Sequence, residues 1–311
     1  SNHVIVYTTH ITASSDDFTG IIRSQLAKTA VCFVGDEAHG LGAYKSRRAL
    51  LDDYSYRIGL SATPTRWFDD YGTKILADFF GNDSYQFTIA QALTTINPLT
   101  GMPFLTDYEY HPVFVSLTDE ELEKYKSLSK RISKMATYSK NSDKYQSTLE
   151  KLLFARANIE KNAVLKYDAL LEILNTNTIE NTIIFASDAQ IDDVMRILQE
   201  KVIMAHRFTQ EQGTTPEAKY CGLSERQYLI NMFKEGTYKA LVAIKCLDEG
   251  IDIPSANTAI IMASSTNPRE YIQRVGRVIR QAKNKDRAYI YDFIIEPDFA
   301  RLKDPDLIEF E

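Results

Sequence analysis

No apolar run in the 311 residues approaches the ~18 that a membrane span requires, and no signal-like leader precedes the first strand-like segment. A membrane-spanning class is therefore not expected, and a cytoplasmic location is. Cysteine is scarce. Cys32, Cys221 and Cys246 show neither C-x-x-C spacing nor an even count, which argues against a disulfide framework or a thiolate metal site. Cys32 and Cys246 lie inside strand-like runs and read as small buried thiols. An excess of positive charge is also missing: 36 Lys+Arg face 42 Asp+Glu, a net charge of -6. That excludes a wholly basic nucleic-acid coat but not a local stripe. Such a stripe exists, because residues 269–287 hold seven basic side chains and two acidic ones. There is no repeat of solenoid period and no low-complexity tract.

The length suggests about two domains. Short apolar runs alternate with helical patterns, the signature of an α/β fold built on parallel sheet. Val4–Tyr7, Val31–Val34 and Tyr56–Leu60 read as strands of one sheet. Val113–Val115, Thr182–Phe185, Lys239–Ile244, Thr258–Met262 and Arg287–Tyr291 read as strands of a second domain. Their β-branched, unbroken character fits sheets covered on both faces. The expected division is residues 1–92 for the first domain, a Thr-, Asn-, Pro- and Gly-rich linker at 93–108, and 109–311 for the second. Within the second, Thr118-x-x-Glu121 is a capping box that opens a helix. A further long helix is expected from Leu149 to Leu174, making 119–175 a helical insertion that the α/β core does not require.

Asp36-Glu37-Ala38-His39 directly follows an apolar strand, where open α/β sheets bind ligands. Phosphoryl transfer from a nucleotide needs one carboxylate to hold Mg²⁺ and another to orient the attacking water, and adjacent residues can divide those roles. The plain alternative is a solvated acidic turn. Ser61-Ala62-Thr63 follows the next strand, where small hydroxyl side chains can hydrogen-bond the acidic motif. In Gln273 to Arg280 the arginines fall at 274, 277 and 280, a spacing that on a helix makes a fan able to meet several phosphate oxygens. The alternative is a solvated basic face. Gly276 suggests close approach of another backbone. In the loop Leu247 to Pro254, Gly250 permits a turn and Asp252 can accept from a ribose hydroxyl, although taken alone this reads as an acidic loop. Thr8, Thr9, Ser187 and Thr209 sit at expected strand ends, where hydroxyls and backbone N–H groups can hold nucleic-acid phosphates. Trp67 and Phe68 suit packing better than base stacking. His10, His111 and His206 show no partner spacing.

Taken in order, these residues resemble superfamily 2 helicases and translocases. Asp36-Glu37-Ala38-His39 is similar to that family's motif II, Ser61-Ala62-Thr63 to motif III, and Ile184 to Ser187 to motif IV. Leu247 to Pro254 resembles motif V, and Gln273 to Arg280 resembles motif VI. The wording of the last two is closest to the branch of DEAH-type restriction-enzyme motors and XPB-like repair helicases. The resemblance implies two RecA-like domains that close on ATP and step along a nucleic-acid strand. It gives Asp36 to Mg²⁺, Glu37 to the water, and His39 and Gln273 to coupling around the γ-phosphate. Arg277 and Arg280 would be arginine fingers, Gly250 and Asp252 nucleotide contacts, and Ser61, Thr63 and Arg274 coupling residues. Thr8, Thr9, Ser187 and Thr209 would touch the nucleic acid.

One part of the pattern is missing. No Gly-Lys dipeptide occurs anywhere, so the Gly-x-x-x-x-Gly-Lys-Ser/Thr loop that cradles β- and γ-phosphates is not here. Ser1-Asn2 reads as a cloning scar, and the chain as the latter part of a longer motor whose first domain is short of its early strands. The expectation is an ATP- and Mg²⁺-dependent DNA helicase or translocase of restriction or repair type. DNA is favoured over RNA as partner, and further domains or subunits are left open. By itself this stretch is expected not to hydrolyse ATP. A non-catalytic nucleic-acid-binding or regulatory module is the competing class. A Mg²⁺ nuclease fits poorly, having no use for the arginines.

Overall fold

The computed structural model describes residues 4–26, 28–63, 65–66, 69–81, 83–138, 143–244, 253, 256–263, 268–282 and 285–296. They form two compact units, Ser1–Phe87 and Thr88–Glu311.

In the first unit, helices α1 (His10–Ala13) and α2 (Asp16–Leu26) precede strand β1 (Cys32–Gly35). Two short 3-10 turns, strand β2 (Tyr56–Gly59) and helix α3 (Asp70–Phe80) follow. β1 and β2 pair in parallel, Cys32 opposite Tyr56 and Gly35 opposite Gly59. Phe33 organises the core on one face. Its ring stacks on Tyr54 at 4.9 Å and meets Phe79 edge-on at 5.8 Å, a geometry that adds to area burial. The other face is open: Val34 is 55% exposed and Ile58 49%. Cover on both faces, expected from the apolar strands, therefore does not hold for this unit among the described residues. Cys32 is exposed rather than buried for the same reason. The expected strand Val4–Tyr7 is not formed. Its side chains stand exposed and it joins no ladder among the described residues, since apolar β-branched sequence becomes strand only beside a partner.

The second unit adds helix α4 (Ile89–Thr94), strand β3 (Asp107–Val115) and helices α5 (Asp119–Tyr138), α6 (Asp143–Lys161) and α7 (Lys166–Thr176). Strand β4 (Thr182–Phe185), helix α8 (Ile191–Glu200), strand β5 (Ala205–Phe208) and helix α9 (Glu225–Lys234) come next. Strands β6 (Ala240–Ala243) and β7 (Thr258–Ile261), helix α10 (Pro268–Val278) and strand β8 (Arg287–Ile295) complete it. The six strands form one parallel sheet in the order β3-β8-β7-β4-β6-β5. Adjacent residues serve opposite layers, as the pleat demands. Ile183 and Leu241 pack with Leu229, Phe233 and Val278 of α9 and α10. Ile184 and Val242 pack with Leu170, Val194 and Leu198 of α7 and α8. Here the unbroken apolar strands are covered on both faces, as read. β5 was signalled only by its last residues, since Ala205-His206-Arg207 has no strand-like run.

Three boundaries differ from expectation. The division between units falls after Phe87, and the stretch read as a linker belongs to the second unit. There Ile96 bridges Pro103, Leu105 bridges Arg280, and Thr106 N donates to Ile279 O at 2.8 Å. The Thr118–Glu121 capping box forms, with Thr118 N donating to Glu121 Oε2 at 2.9 Å and Glu121 N to Thr118 Oγ1 at 3.3 Å. The helix expected from Leu149 to Leu174 is broken after Lys161, where buried Ala163 turns the chain and Val164 N donates to Glu121 Oε1 at 3.0 Å. α7 then lies on the sheet with Leu170 fully buried. The residues outside the sandwich thus reduce to α5 and α6. Phe233 is fully buried against the sheet, so Phe233→Ala is expected to cost about 3–5 kcal/mol. Urea unfolding checks this: the midpoint falls while the slope stays unchanged.

Candidate active site

The acidic turn leaves β1 at Gly35. Asp36 is exposed and its Oδ1 accepts from Glu37 N at 3.0 Å. Glu37 adopts the left-handed conformation, φ 47° and ψ 48°, uncommon for a residue with a side chain and a mark of functional turns. The turn is tied to β2, because Leu60 N donates to Gly35 O and Ala38 N to Leu60 O, each at 2.8 Å. His39 connects the two motifs. Its Nδ1 lies 3.2 Å from Glu37 Oε2 and 3.2 Å from Ser61 Oγ. Ser61 spends its one proton on Thr63 O at 2.9 Å, so Nδ1 carries the hydrogen that Ser61 Oγ accepts, with Glu37 Oε2 within ion-pair distance. Ser61 also accepts from Thr63 N at 3.3 Å. Ser61 therefore meets the acidic motif through the histidine.

In the second unit, Gln273, Arg274 and Arg277 ride on α10, which ends at Val278, and Arg280 lies beyond it, bridged to Leu105. A helical fan of three arginines is thus not what forms. Arg274 turns inward, 5% exposed, donating Nη1 to Ala263 O at 2.6 Å with its guanidinium 5.2 Å over the Phe185 ring. Arg277 is 9% exposed, Gln273 is half-buried and Arg280 is exposed. The spacing missed this because position 274 faces the sheet, where a desolvated guanidinium is stable only with a carbonyl or ring partner. The close approach expected at Gly276 is absent among the described residues: no atom lies within 4 Å of where its Cβ would stand.

The hydroxyl residues divide. Thr8 is exposed, and Thr9 Oγ1 caps α1 by accepting from Thr12 N at 3.2 Å. Ser187 is buried, 4% exposed, and its hydroxyl bonds Asn162 Oδ1 at 2.5 Å. Thr209 N donates to Gln212 Oε1 at 2.5 Å and Thr209 Oγ1 accepts from Glu211 N at 3.2 Å. Because the sheet is parallel, Ser187 and Thr209 share its carboxyl edge. Ser187 nevertheless has little surface to offer a ligand. Gly250 and Asp252, together with Trp67 and Phe68, lie outside the described residues.

Three residues make contacts that the sequence did not signal. His10 Nε2 bonds Asp36 O at 2.8 Å and Arg66 Nη1 donates to His39 O at 2.5 Å, so both hold the backbone of the acidic turn. Lys166 is 2% exposed and donates Nζ to Met262 O at 2.7 Å and Lys161 O at 3.3 Å. Separations of 26, 27 and 96 residues leave no local signal for such contacts. Burial pushes the Lys166 ammonium down to about 8. At the same edge, Tyr110 donates its hydroxyl to Asp292 Oδ2 at 2.9 Å, and burial raises that carboxyl. Between pH 8 and the lysine's unfolded value the unfolded chain binds more protons, so this group makes stability rise with pH. Relative to Lys166→Met, the wild type is expected to gain up to roughly 3 kcal/mol across that window. Denaturant titrations at pH 7.5 and 10 check the sign.

Residues 165–282 match the helicase conserved C-terminal domain. Over 298 residues the chain is 28% identical to "DNA 3'-5' translocase XPB2" of Sulfurisphaera tokodaii, spanning 90% of this chain and 62% of that protein. It is 26% identical over 275 residues to "Putative helicase 22" of a Sulfolobus islandicus filamentous virus, spanning 88% and 44%. The chain thus covers less than two thirds of the length of these relatives. The fold matches a fragment described as a "putative HsdR subunit of a type I restriction enzyme" from Vibrio vulnificus, with TM-score 0.52, 19% identity, and 93% and 48% of the two chains covered. The fold is RecA-like, and residues 165–282 carry a helicase C-terminal domain. The chain is similar to superfamily 2 helicases and translocases, without the Gly-Lys phosphate loop in these 311 residues.

Proposed function

We propose that this chain is the latter part of an ATP-dependent DNA translocase of restriction or repair type, acting in the cytoplasm. The observation that carries the proposal is the Asp36–Glu37–His39–Ser61 arrangement: two carboxylates at a parallel strand's carboxyl end, one 3.2 Å from an imidazole that hydrogen-bonds the hydroxyl after the next strand. The 28% identical relative is named a DNA translocase, which supports DNA as the partner. Glu37 orients and deprotonates the attacking water, and His39 holds its carboxylate and senses Ser61. Asp36 offers one exposed carboxylate, a donor set that suits Mg²⁺, which keeps waters and substrate phosphates rather than an all-protein cage. Bound there, the ion would neutralise charge on the β- and γ-phosphates. Gln273, Arg277 and Arg280 act on the phosphoryl group, Arg277 and Arg280 as cations for its developing charge. Arg274 acts at one remove, fixing α10 through Ala263. Gly250 and Asp252 contact the nucleotide, and Thr8, Thr9 and Thr209 the DNA.

ATP turnover by the gene product containing this chain, with and without duplex DNA, tests the proposal. DNA-stimulated hydrolysis is expected. Glu37→Gln should lower it by about 10²–10⁴-fold and Arg280→Ala by about 10³-fold or more, with DNA binding retained. The 311 residues alone are expected not to turn over. The competing reading is a nucleic-acid-binding or regulatory module without catalysis. It predicts DNA binding with no ATP hydrolysis, an outcome that would overturn the motor.

A further inference from the structure

Past Val278 the carbonyls at the end of α10 have no helical partner, yet three in succession are captured. Val278 O accepts from Lys285 Nζ, and Ile279 O accepts from Thr106 N at 2.8 Å. Arg280 O accepts from Lys285 Nζ at 3.0 Å and Thr106 Oγ1 at 3.4 Å. Gln281 Nε2 donates to Leu105 O at 3.0 Å, closing the strip begun by the Leu105–Arg280 bridge. Ile279 is fully buried, while Arg280 beside it is exposed. The long side chain at 280 therefore springs from a main chain fixed on all sides.

Helices commonly end with a left-handed glycine, which satisfies these carbonyls at little expense. This one uses an ammonium that is 5% exposed, and burial pushes that group down to about 8. A desolvated charge is a costly cap. What it adds is a donor that reaches two carbonyls at once, and a positive charge at the negative end of the helix dipole.

We propose that Lys285 is a positioning residue: by clamping Val278 O and Arg280 O it holds the end of α10 in the form that presents Arg277 and Arg280 to phosphate. The proposal rests on the ATP-hydrolysing reading above. Arg277 directly precedes the clamped Val278 and Arg280 carries the second clamped carbonyl, so slackening the clamp misaligns both guanidinium groups without removing either. Cations held on a rigid mount lose little freedom when charge develops on the substrate, which is where alignment counts.

The test compares Lys285→Met, which keeps length but has no donor, with Lys285→Gln, which keeps a neutral donor. Both are made in the gene product containing this chain. Measured are kcat and KM for ATP with duplex DNA, circular dichroism, and hydrogen exchange at residues 279–282. The expected result for a folded K285M is a kcat lower by about tenfold or more with KM changed by less than ~threefold. Faster exchange confined to 279–282 should accompany it, with K285Q in between. A folded K285M with wild-type kcat, or with a raised KM and intact kcat, overturns the proposal. If K285M does not fold, K285Q is judged by the same criteria. A wild type that hydrolyses no ATP sinks the motor reading instead. Exchange then decides for Lys285: faster exchange at 279–282 supports the clamp and unchanged exchange refutes it.

Discussion

Side-chain N–H groups donating to main-chain carbonyls hold several of the turns on which the proposed chemistry depends. Arg66 donates to His39 O, and the His10 ring bonds Asp36 O. Arg274 and Lys166 take the consecutive carbonyls of Ala263 and Met262 at the end of β7, and Lys285 takes two at the end of α10. A parallel sheet makes this necessary. Its ladder stops at the carboxyl edge, the chain must turn there, and the carbonyls released still need donors. Side chains bearing several N–H groups supply them and fix the turn in one conformation.

The pairing at 262 and 263 joins parts distant in sequence. Lys166 opens α7 just after the break that separates α5 and α6 from the sandwich, and Arg274 sits in the middle of α10. Two successive carbonyls thus connect the helical arm's base with the arginine helix. The Tyr110–Asp292 bond lies at the same edge, where burial raises Asp292. That edge is a polar layer under the functional turns, satisfied internally, and it stiffens them as such networks do.

Much of the fold was legible because the second unit's strands are short unbroken β-branched runs whose cover agrees with their composition. Ile183-Ile184 and Leu241-Val242 serve opposite layers, as a doubly covered sheet requires. Val4–Tyr7 has the same composition and no partner, so the same rule failed there. At the candidate site, residue types and strand-end positions pointed to Asp36, Glu37, His39 and Ser61, and the structure hydrogen-bonds His39 to Ser61 with Glu37 3.2 Å from the same ring nitrogen. Spacing could not tell that Arg274 faces the sheet while Arg280 lies past the helix end, since periodicity carries no record of where a helix stops. Lys166 and Lys285 carry no signal in the sequence, because sequence does not report desolvation.

The proposed chemistry demands that charges already be in position when a phosphoryl group moves, and within each unit the carbonyl clamps fix the main chain that carries them. A crystal structure of the gene product with Mg²⁺ and ADP–beryllium fluoride tests this most directly. The account predicts Asp36 at the metal, Glu37 on the attacking water, and the guanidinium of Arg277 or Arg280 within hydrogen-bond reach of the fluorides, with the Lys285 contacts kept. A bound nucleotide whose terminal fluorides touch neither arginine, with Glu37 away from the water, would contradict it.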